Sequence, residues 1–461
     1  MSKVKNYESL ISRGSVNARG YVLQVMNKVL EELDASRLIE RLMRIEGDSL
    51  VVGERSWNLS GIDNVYLVGA GKACNAMAQA VCGVLGARLS KGIISVKIAE
   101  PQDSYINTEV YIGGHPLPNE AGMEAAAKML ELSANATERD LFISVISGGS
   151  SALLTYPVEG ITLEDEIAAQ GMLLESGAKI VEINAVRRHI SRTNGGRLAE
   201  AILASGAGLI SLIISDAVGA RPTLSPGVPA TFYGTPCAPD QTTIQDARNT
   251  IANYALRDRL PTSIIDYLYD DFRVKETPKS LGDRITIFRI CGVPDSCEIA
   301  CRVAGEMGIP LLTLTTHLEG ESREAGFFLA SIAREIKNMK RPIKPPCLVV
   351  CSGETTTSIQ SPPAGVGGPS QELTLGFSIG IRGIDGIACA SIDTEGTDGT
   401  TVNAGGIVDG DTFKRLEGMG INPYEALRNH STGNALDALS DAIYTSNTGT
   451  NVCDFNIMYI E

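Results

Sequence analysis

Short apolar runs constrain this chain more than any other feature. Each ends in glycine, serine, threonine or aspartate, and most are followed by a helix-like stretch. "VYLVGAG" from Val65 precedes "ACNAMAQAVCGVL", and "GIISVKI" from Gly92 and "EVYIGG" from Glu109 precede "EAGMEAAAKMLELSA". "LFISV" from Leu141 runs into "ISGGSSALL", and "LISLIIS" from Leu209 into "SDAVGA". Runs that are apolar throughout suit strands covered on both faces, and their alternation with helices implies a mostly parallel α/β sheet. A second alternating region has strands expected at "RITIFRI" from Arg284, "LLTLTT" from Leu311, "CLVVCSG" from Cys347 and "GIACASID" from Gly386. The helix "ESREAGFFLASIAREIKNM" lies among them. An amino-terminal helix is expected over Tyr21–Leu33.

At 461 residues the chain exceeds what one core usually holds, so two domains are expected. The Pro-, Gly- and Thr-rich stretch 224–243 reads as the loop between them. With 43% hydrophobic and 20% charged residues the composition is that of an ordinary globular protein. No apolar run reaches a membrane span and no signal-peptide core opens the chain, so no membrane is expected and the cytoplasm is the expected location. The net charge of −14, without a basic patch, argues against nucleic acid as a partner. An anionic substrate would then need local backbone N–H groups or a few cations. Ten scattered cysteines read as reduced thiols, and the spacing of Cys291, Cys297 and Cys301 fits no zinc site. Four histidines leave little scope for histidine-led chemistry. A homodimer is the expectation from base rates.

Ligands of parallel sheets bind at the carboxyl ends of strands. Five such ends carry glycine- or hydroxyl-rich turns: "GAGKA" at 69–73, "ISGGSSALL" at 146–154, "SDAVGA" at 215–220, "CSGETTT" at 351–357 and "DTEGTDGTT" at 393–401. Together they point to a cleft that binds anions. Gly69 and Gly71 form part of a dinucleotide fingerprint whose third glycine is replaced by Cys74, and Lys72 within it suits a phosphate or carboxylate. In Ser147, Gly148, Gly149, Ser150 and Ser151, glycines admit an anion to the backbone and serines add donors. Neither a nucleophile elbow nor a P-loop is present. On a helix, Asn184, Arg187, Arg188 and Ser191 share a face, so Arg187 or Arg188 is expected to reach the cleft. Asp216 reads as a Mg²⁺ ligand, a base for a hydroxyl, or the N-cap of the next turn. Glu354 and Asp398 are the other candidate Mg²⁺ ligands.

The motifs in sequence resemble the type-2 glycerate kinases, whose Rossmann-like amino-terminal domain faces a carboxyl-terminal MOFRL domain. The resemblance runs through "GAGKA", "GHPLPNEAG" (114–122), "ISGGSSALL", "INAVRRHIS..NGGRLA" (183–199), "SDAVG", "SGETTT" (352–357), "GGPSQE" (367–372), "EGTDGTTVNAGG" (395–406) and "TSNTGTNVCD" (445–454). It implies a Rossmann-like domain over 1–240 and a second α/β domain over 241–461, MOFRL-type from about 345, with the site in the cleft between them. It implies ATP- and Mg²⁺-dependent phosphorylation of glycerate or a similar small anionic hydroxy acid. Lys72 and Asp216 would be catalytic. Residues 147–151 with Arg187 or Arg188 would bind substrate. Gly69, Gly71, Gly353, Glu354, Thr355, Gly367 and Gly368 would bind nucleotide. Three departures stand out: Asn194 replaces a lysine, Pro369-Ser370 replace Arg-Asn, and Ala220 replaces an acid, with Arg221 as a gain. Loss of an arginine facing a transferring phosphoryl group lowers kinase rates by orders of magnitude. A hydroxypyruvate reductase and a non-catalytic metabolite-binding relative are therefore the alternatives.

Overall fold

The computed structural model describes residues 2–99, 103–219, 223, 230, 234–359 and 365–461. Ala220 and Arg221 lie outside the described residues, as do positions 224–229 and 231–233 of the expected linker. The chain forms two compact units, each assembled from separated segments. One comprises Ala35–Ile214 with Ser225–Ile290, the other Met1–Asp34, Ser215–Leu224 and Cys291–Glu461. The sequence reading cut the chain once, at 240/241.

The first unit is built on a six-stranded sheet. Its spatial order is Thr108–Ile112, Leu89–Val96, Asn64–Ala70, Asp140–Ile146, Gly208–Ser215 and Ile285–Gly292. The first five pair in parallel. All seven residues of the central strand Asp140–Ile146 are buried, as an apolar run covered on both faces requires. The strand from Ile285, which the sequence reading assigned to the second region, is the edge of this first sheet. Loop length hid that pairing, because some seventy residues separate it from its neighbour Gly208–Ser215. Helix Cys74–Leu85 buries Cys74, Met77, Ala78, Val81 and Leu85, spacings of three and four that keep one face on the sheet. Helix Glu120–Ala134 starts at Asn119, whose side chain accepts the N–H of Gly122. A three-stranded antiparallel meander, Met43–Glu46, Ser49–Val52 and Arg55–Asn58, was not foreseen.

The second unit has a mixed sheet. Its spatial order is Leu311–Leu318, Cys347–Gly353, Asp454–Ile460, Ile387–Asp393, Gly405–Asp409 and Ala442–Ile443. Only the first pair is parallel. The last strand of the chain inserts centrally, so Asp454 lies opposite both Gly353 and Asp393. Alternation along the sequence could not reveal this insertion. Helix Val16–Glu32 buries Val22, Val25, Met26 and Val29 and packs on the strands Ile387–Asp393 and Asp454–Ile460. Its Arg19 is fully buried. The guanidinium bonds Asp409 through Nε and Asp441 through both Nη atoms at 2.9 Å, and Arg415 adds a 2.8 Å bond to Asp441. Two arginines thus neutralise two buried aspartates and tie the amino-terminal helix to the carboxyl-terminal sheet.

All ten cysteines are free thiols. Among the described residues no helix is long and apolar enough to cross a membrane.

Removing one member of a buried ion network strands the others without a counter-charge. Arg19→Leu is expected to lower unfolding free energy by about 3–5 kcal/mol. Denaturant unfolding checks this, and a midpoint equal to that of the parent would contradict it.

Candidate functional site

In the parallel-sheet unit, strands Asn64–Ala70 and Asp140–Ile146 are paired along their whole length. The turns beyond them continue the contact. The N–H of Ser147 donates to Ala70 O at 3.1 Å, and that of Lys72 to Gly148 O at 2.9 Å. The N–H of Ala73 donates to Ser147 Oγ at 3.0 Å. A Cβ on Gly71, whose φ is +134°, would lie 2.2 Å from Ser147 Oγ, and one on Gly69 would lie 2.4 Å from the Val145 side chain. The two glycines of the partial fingerprint therefore let one turn lie on the other. Ser147, read from sequence as a ligand donor, has its hydroxyl oxygen engaged by Ala73.

Donors for an anion remain in this turn. Among the described residues no protein acceptor takes the N–H of Gly148 or Gly149. Gly149 adopts φ +81° and opens the short helix Ser150–Leu153. Its side lacking a Cβ faces Lys72 and His115. A Cβ there would lie 3.0 Å from the His115 ring and 3.1 Å from Lys72 Cγ. The structure thus brings together Lys72, His115 and the 147–151 turn. His115 escaped the sequence reading. Its signal was position: it follows the edge strand Thr108–Ile112, at the same end of the sheet as the other turns. Gln170 secures that loop by donating to Pro116 O.

Helix Ile180–His189 carries the two candidate arginines, and the structure separates them. Arg188 pairs with the buried Asp240 at 2.9 Å. Among the described residues Arg187 makes only a 3.4 Å contact with Asn184 through Nη1, and its buried Nε and Nη2 have no partner there. Burial lowers its pKa to about 10, opposed by the carboxylate of Glu166 and reinforced by Arg188. Nε and Nη2 form one edge of the guanidinium, the fork that takes a carboxylate bidentately. Asn194, in place of the lysine, directs its amide to the carbonyls of Ser151 and Leu154 at 3.3 and 3.4 Å. It braces the 147–151 turn from behind.

The mixed-sheet unit carries a group of acids. Asp216 follows strand Gly208–Ser215. Its carboxylate accepts from Asn451 at 3.5 Å, and its carbonyl accepts from the Cys453 thiol at 3.0 Å. That thiol also lies 3.7 Å from Glu354 Oε2. Asp454 is buried and accepts from the N–H and hydroxyl of Thr355 and from Ser370 Oγ, at 3.3–3.4 Å. Burial, with Asp393, Asp398 and Glu354 nearby, pushes its carboxyl well above the ordinary range. Asp393 and Asp454 were not singled out from sequence, because only the antiparallel register sets them opposite each other.

Asp398 differs from the cation ligand expected of it. Both its oxygens accept backbone N–H groups at the start of helix Pro369–Gly380, from Ser370 at 3.2 Å and Gln371 at 2.9 Å. Burial raises its carboxyl to about 7. It is a capping group. Gly368 lies against it, with room for no Cβ (2.4 Å), and Gly367 lies against Thr432. Gly353 is equally close to the Leu318 backbone. Pro369 occupies the first helical turn, where a missing N–H leaves no bond unmade. Thr355 is tied to Asp454 and to Ser322. Among the described residues no three His, Cys, Asp or Glu side chains close a metal cage. Of the five expected turns, two therefore belong to the parallel-sheet unit and three to the mixed-sheet unit.

A model described as a domain of unknown function, DUF4147, matches residues 21–269, and the MOFRL family model matches 347–454. The D-glycerate 2-kinase of Thermotoga maritima is 38% identical over 398 residues, covering 86% of this chain and 90% of that protein. The glycerate 2-kinase of Pyrococcus horikoshii is 36% identical over 440 residues, covering 95% and 96%. The crystal structure of a glycerate kinase from Thermotoga maritima superposes with a TM-score of 0.76 at 35% identity, covering 95% of this chain and 98% of that one.

The contact between the two glycine turns is testable. Gly71→Ala places a Cβ into Ser147 at a positive φ, so a stability loss of about 3 kcal/mol is expected. Denaturant unfolding reads it, and parental stability would contradict the packing role.

Proposed function

The chain belongs to the glycerate 2-kinase family, and from that premise we propose that it is a phosphotransferase moving a phosphoryl group from ATP to a hydroxyl of glycerate or a closely similar hydroxy acid. The observation that carries the reading is Arg187. A buried guanidinium with two adjacent N–H groups unpartnered among the described residues is costly unless a ligand completes it, and a carboxylate matches that fork. In this reading Arg187 holds the substrate carboxylate. Lys72 and the N–H groups of Gly148 and Gly149 supply positive charge and donors to oxygens of the reacting groups. Asp216 takes the proton of the acceptor hydroxyl as its oxygen bonds to the γ-phosphorus and the bond to the ADP oxygen breaks. Such transfers need positioning and charge stabilisation above all.

Mg²⁺ fits the acids of the mixed-sheet unit. Burial first, and then three neighbouring acids, raise the Asp454 carboxyl, and a cation nearby would favour its charged form. The ion needs only one or two carboxylates beside water and phosphate oxygens, which agrees with the lack of a closed cage. Glu354, exposed at its strand end, is the residue that would hold it. Asp398 is already occupied as a helix cap and is left out. When bound, the ion supplies positive charge over the transferring phosphate.

The reductase alternative needs a nicotinamide site, yet Gly69 and Gly71 serve packing between turns and Cys74 stands at the third position. An assay coupling ADP release to NADH oxidation, with D-glycerate and a panel of small hydroxy acids, tests the proposal. ATP- and acceptor-dependent turnover is expected, with no NADH loss on hydroxypyruvate alone. Ligand binding without ATP consumption across the panel would instead favour the non-catalytic reading. Lys72→Ala is expected to lower kcat about a hundredfold or more. Arg187→Met is expected to raise KM for the hydroxy acid about a hundredfold while leaving KM for ATP near the parent value.

A further inference from the structure

We infer that His115 is a further catalytic residue, donating a hydrogen bond from its imidazole Nε2–H to an oxygen of the transferring phosphoryl group at the 147–151 turn. The inference rests on the kinase reading given above and takes up "GHPLPNEAG" (114–122), a motif to which that reading assigns no role. Backbone packing brings the ring to the turn. Edge strand Thr108–Ile112 leads into Gly113 and Gly114, and the N–H of Gly113 donates to Val96 O at 2.9 Å. A Cβ on Gly113 would lie 2.8 Å from Leu153 O, and one on Gly122 would lie 2.6 Å from the same oxygen. Two glycines, one on either side of His115 in the chain, thus lie against the carbonyl that ends the short helix Ser150–Leu153. Between them a Cβ on Gly114 would lie 2.2 Å from Leu117 O, so the segment folds tightly on itself. Asn119 fastens its far end, accepting the Gly122 N–H at 2.9 Å and donating to Ile112 O at 3.1 Å. Ser95 donates its hydroxyl to the Leu153 carbonyl, and Gln170 donates to Pro116 O.

The motif is therefore anchored on the helix that Gly149 opens, and His115 reaches that glycine. A Cβ on Gly149 would lie 3.0 Å from His115 Cδ2 and 3.2 Å from Nε2, with Lys72 Cγ at 3.1 Å. The Cδ2–Nε2 edge of the ring thus borders the side of Gly149 that bears no side chain, and at φ +81° glycine is the residue that suits the position. Among the described residues no protein acceptor takes the N–H of Gly148 or Gly149. An oxygen seated on those N–H groups lies beside Gly149, the residue that Nε2 borders. A ring held by its own loop is a donor fixed before charge develops on the phosphoryl oxygens, the condition under which a hydrogen bond favours the transition state most. His115 keeps its proton throughout the transfer.

The test compares the parent with His115→Ala, His115→Phe and His115→Gln in the assay with ATP and D-glycerate. Readouts are kcat, both KM values and the thermal midpoint. His115→Phe keeps a flat ring but has no donor, whereas His115→Gln keeps a donor. Loss of the donor is expected to lower kcat about a hundredfold in His115→Ala and His115→Phe, with KM for D-glycerate and for ATP within about threefold of the parent. His115→Gln is expected to hold kcat within about tenfold of the parent, and all three thermal midpoints are expected to stay at the parental value. A kcat within about threefold of the parent in His115→Phe would overturn the inference, as would a kcat in His115→Gln no higher than in His115→Phe. A rise in KM for D-glycerate at unchanged kcat would overturn it too, because the ring would then serve binding alone. Should His115→Ala fail to fold, the contrast between His115→Phe and His115→Gln decides the matter. A parent without ATP-dependent turnover on any hydroxy acid would instead refute the kinase reading, a separate outcome.

Discussion

Two parallel strands that keep bonding after they end organise the parallel-sheet unit. Beyond Ala70 and Ile146 the chains would ordinarily diverge into their own turns. Here Ser147 reaches back to Ala70, Lys72 to Gly148 and Ala73 to Ser147 Oγ. Only residues without Cβ atoms can lie that close, which is why positions 69 and 71 are glycine. This contact settles which way the outer N–H groups of the second turn face. It also sets the side chain of Lys72 beside Gly149 and His115. The donors of the turn are thus consequences of backbone packing, and the supporting residues Asn194, Thr155 and Gln170 hold its flanks through carbonyls and carboxyls.

The mixed-sheet unit treats buried acid in two ways. Asp409 and Asp441 are matched by Arg19 and Arg415, so their charges are neutralised within the fold. Asp454 has hydroxyl and N–H donors, but its burial and the further acids around it drive its carboxyl upward. The first arrangement fastens the amino-terminal helix to the sheet. The second gathers acids without an arginine among them, a donor set of hard oxygens that suits a divalent cation. Cys453 belongs with the second group. Its thiol is kept protonated by burial and by the acids around it, so its chemistry is that of a weak donor.

Arg187 shows a related economy. A guanidinium is rarely buried without partners, because each unmade bond carries a desolvation penalty. Arg188, one residue along, is satisfied by Asp240. The difference between neighbours in the same helix arises from rotation about the axis. One side chain pairs with Asp240, and the other bonds Asn184 in its own helix.

Apolar runs and helical spacings located the strands of the parallel sheet and its helices Cys74–Leu85 and Glu120–Ala134, because a doubly covered strand must be apolar at every position and a covering helix at every third or fourth. The motifs also pointed to the right family, since turn chemistry is local and order along the chain preserves it. Sequence could not say that the strand from Ile285 joins the first sheet or that the last strand inserts into the middle of the second. Those pairings bring together residues more than sixty positions apart, and no local pattern encodes them. Nor could it show that Gly69 and Gly71 admit a neighbouring turn, that Asp398 accepts N–H groups at a helix start, or that Asp240 pairs with Arg188 and not Arg187. Each of these distinctions depends on what lies across the space from a side chain, so it was the tertiary structure that decided them.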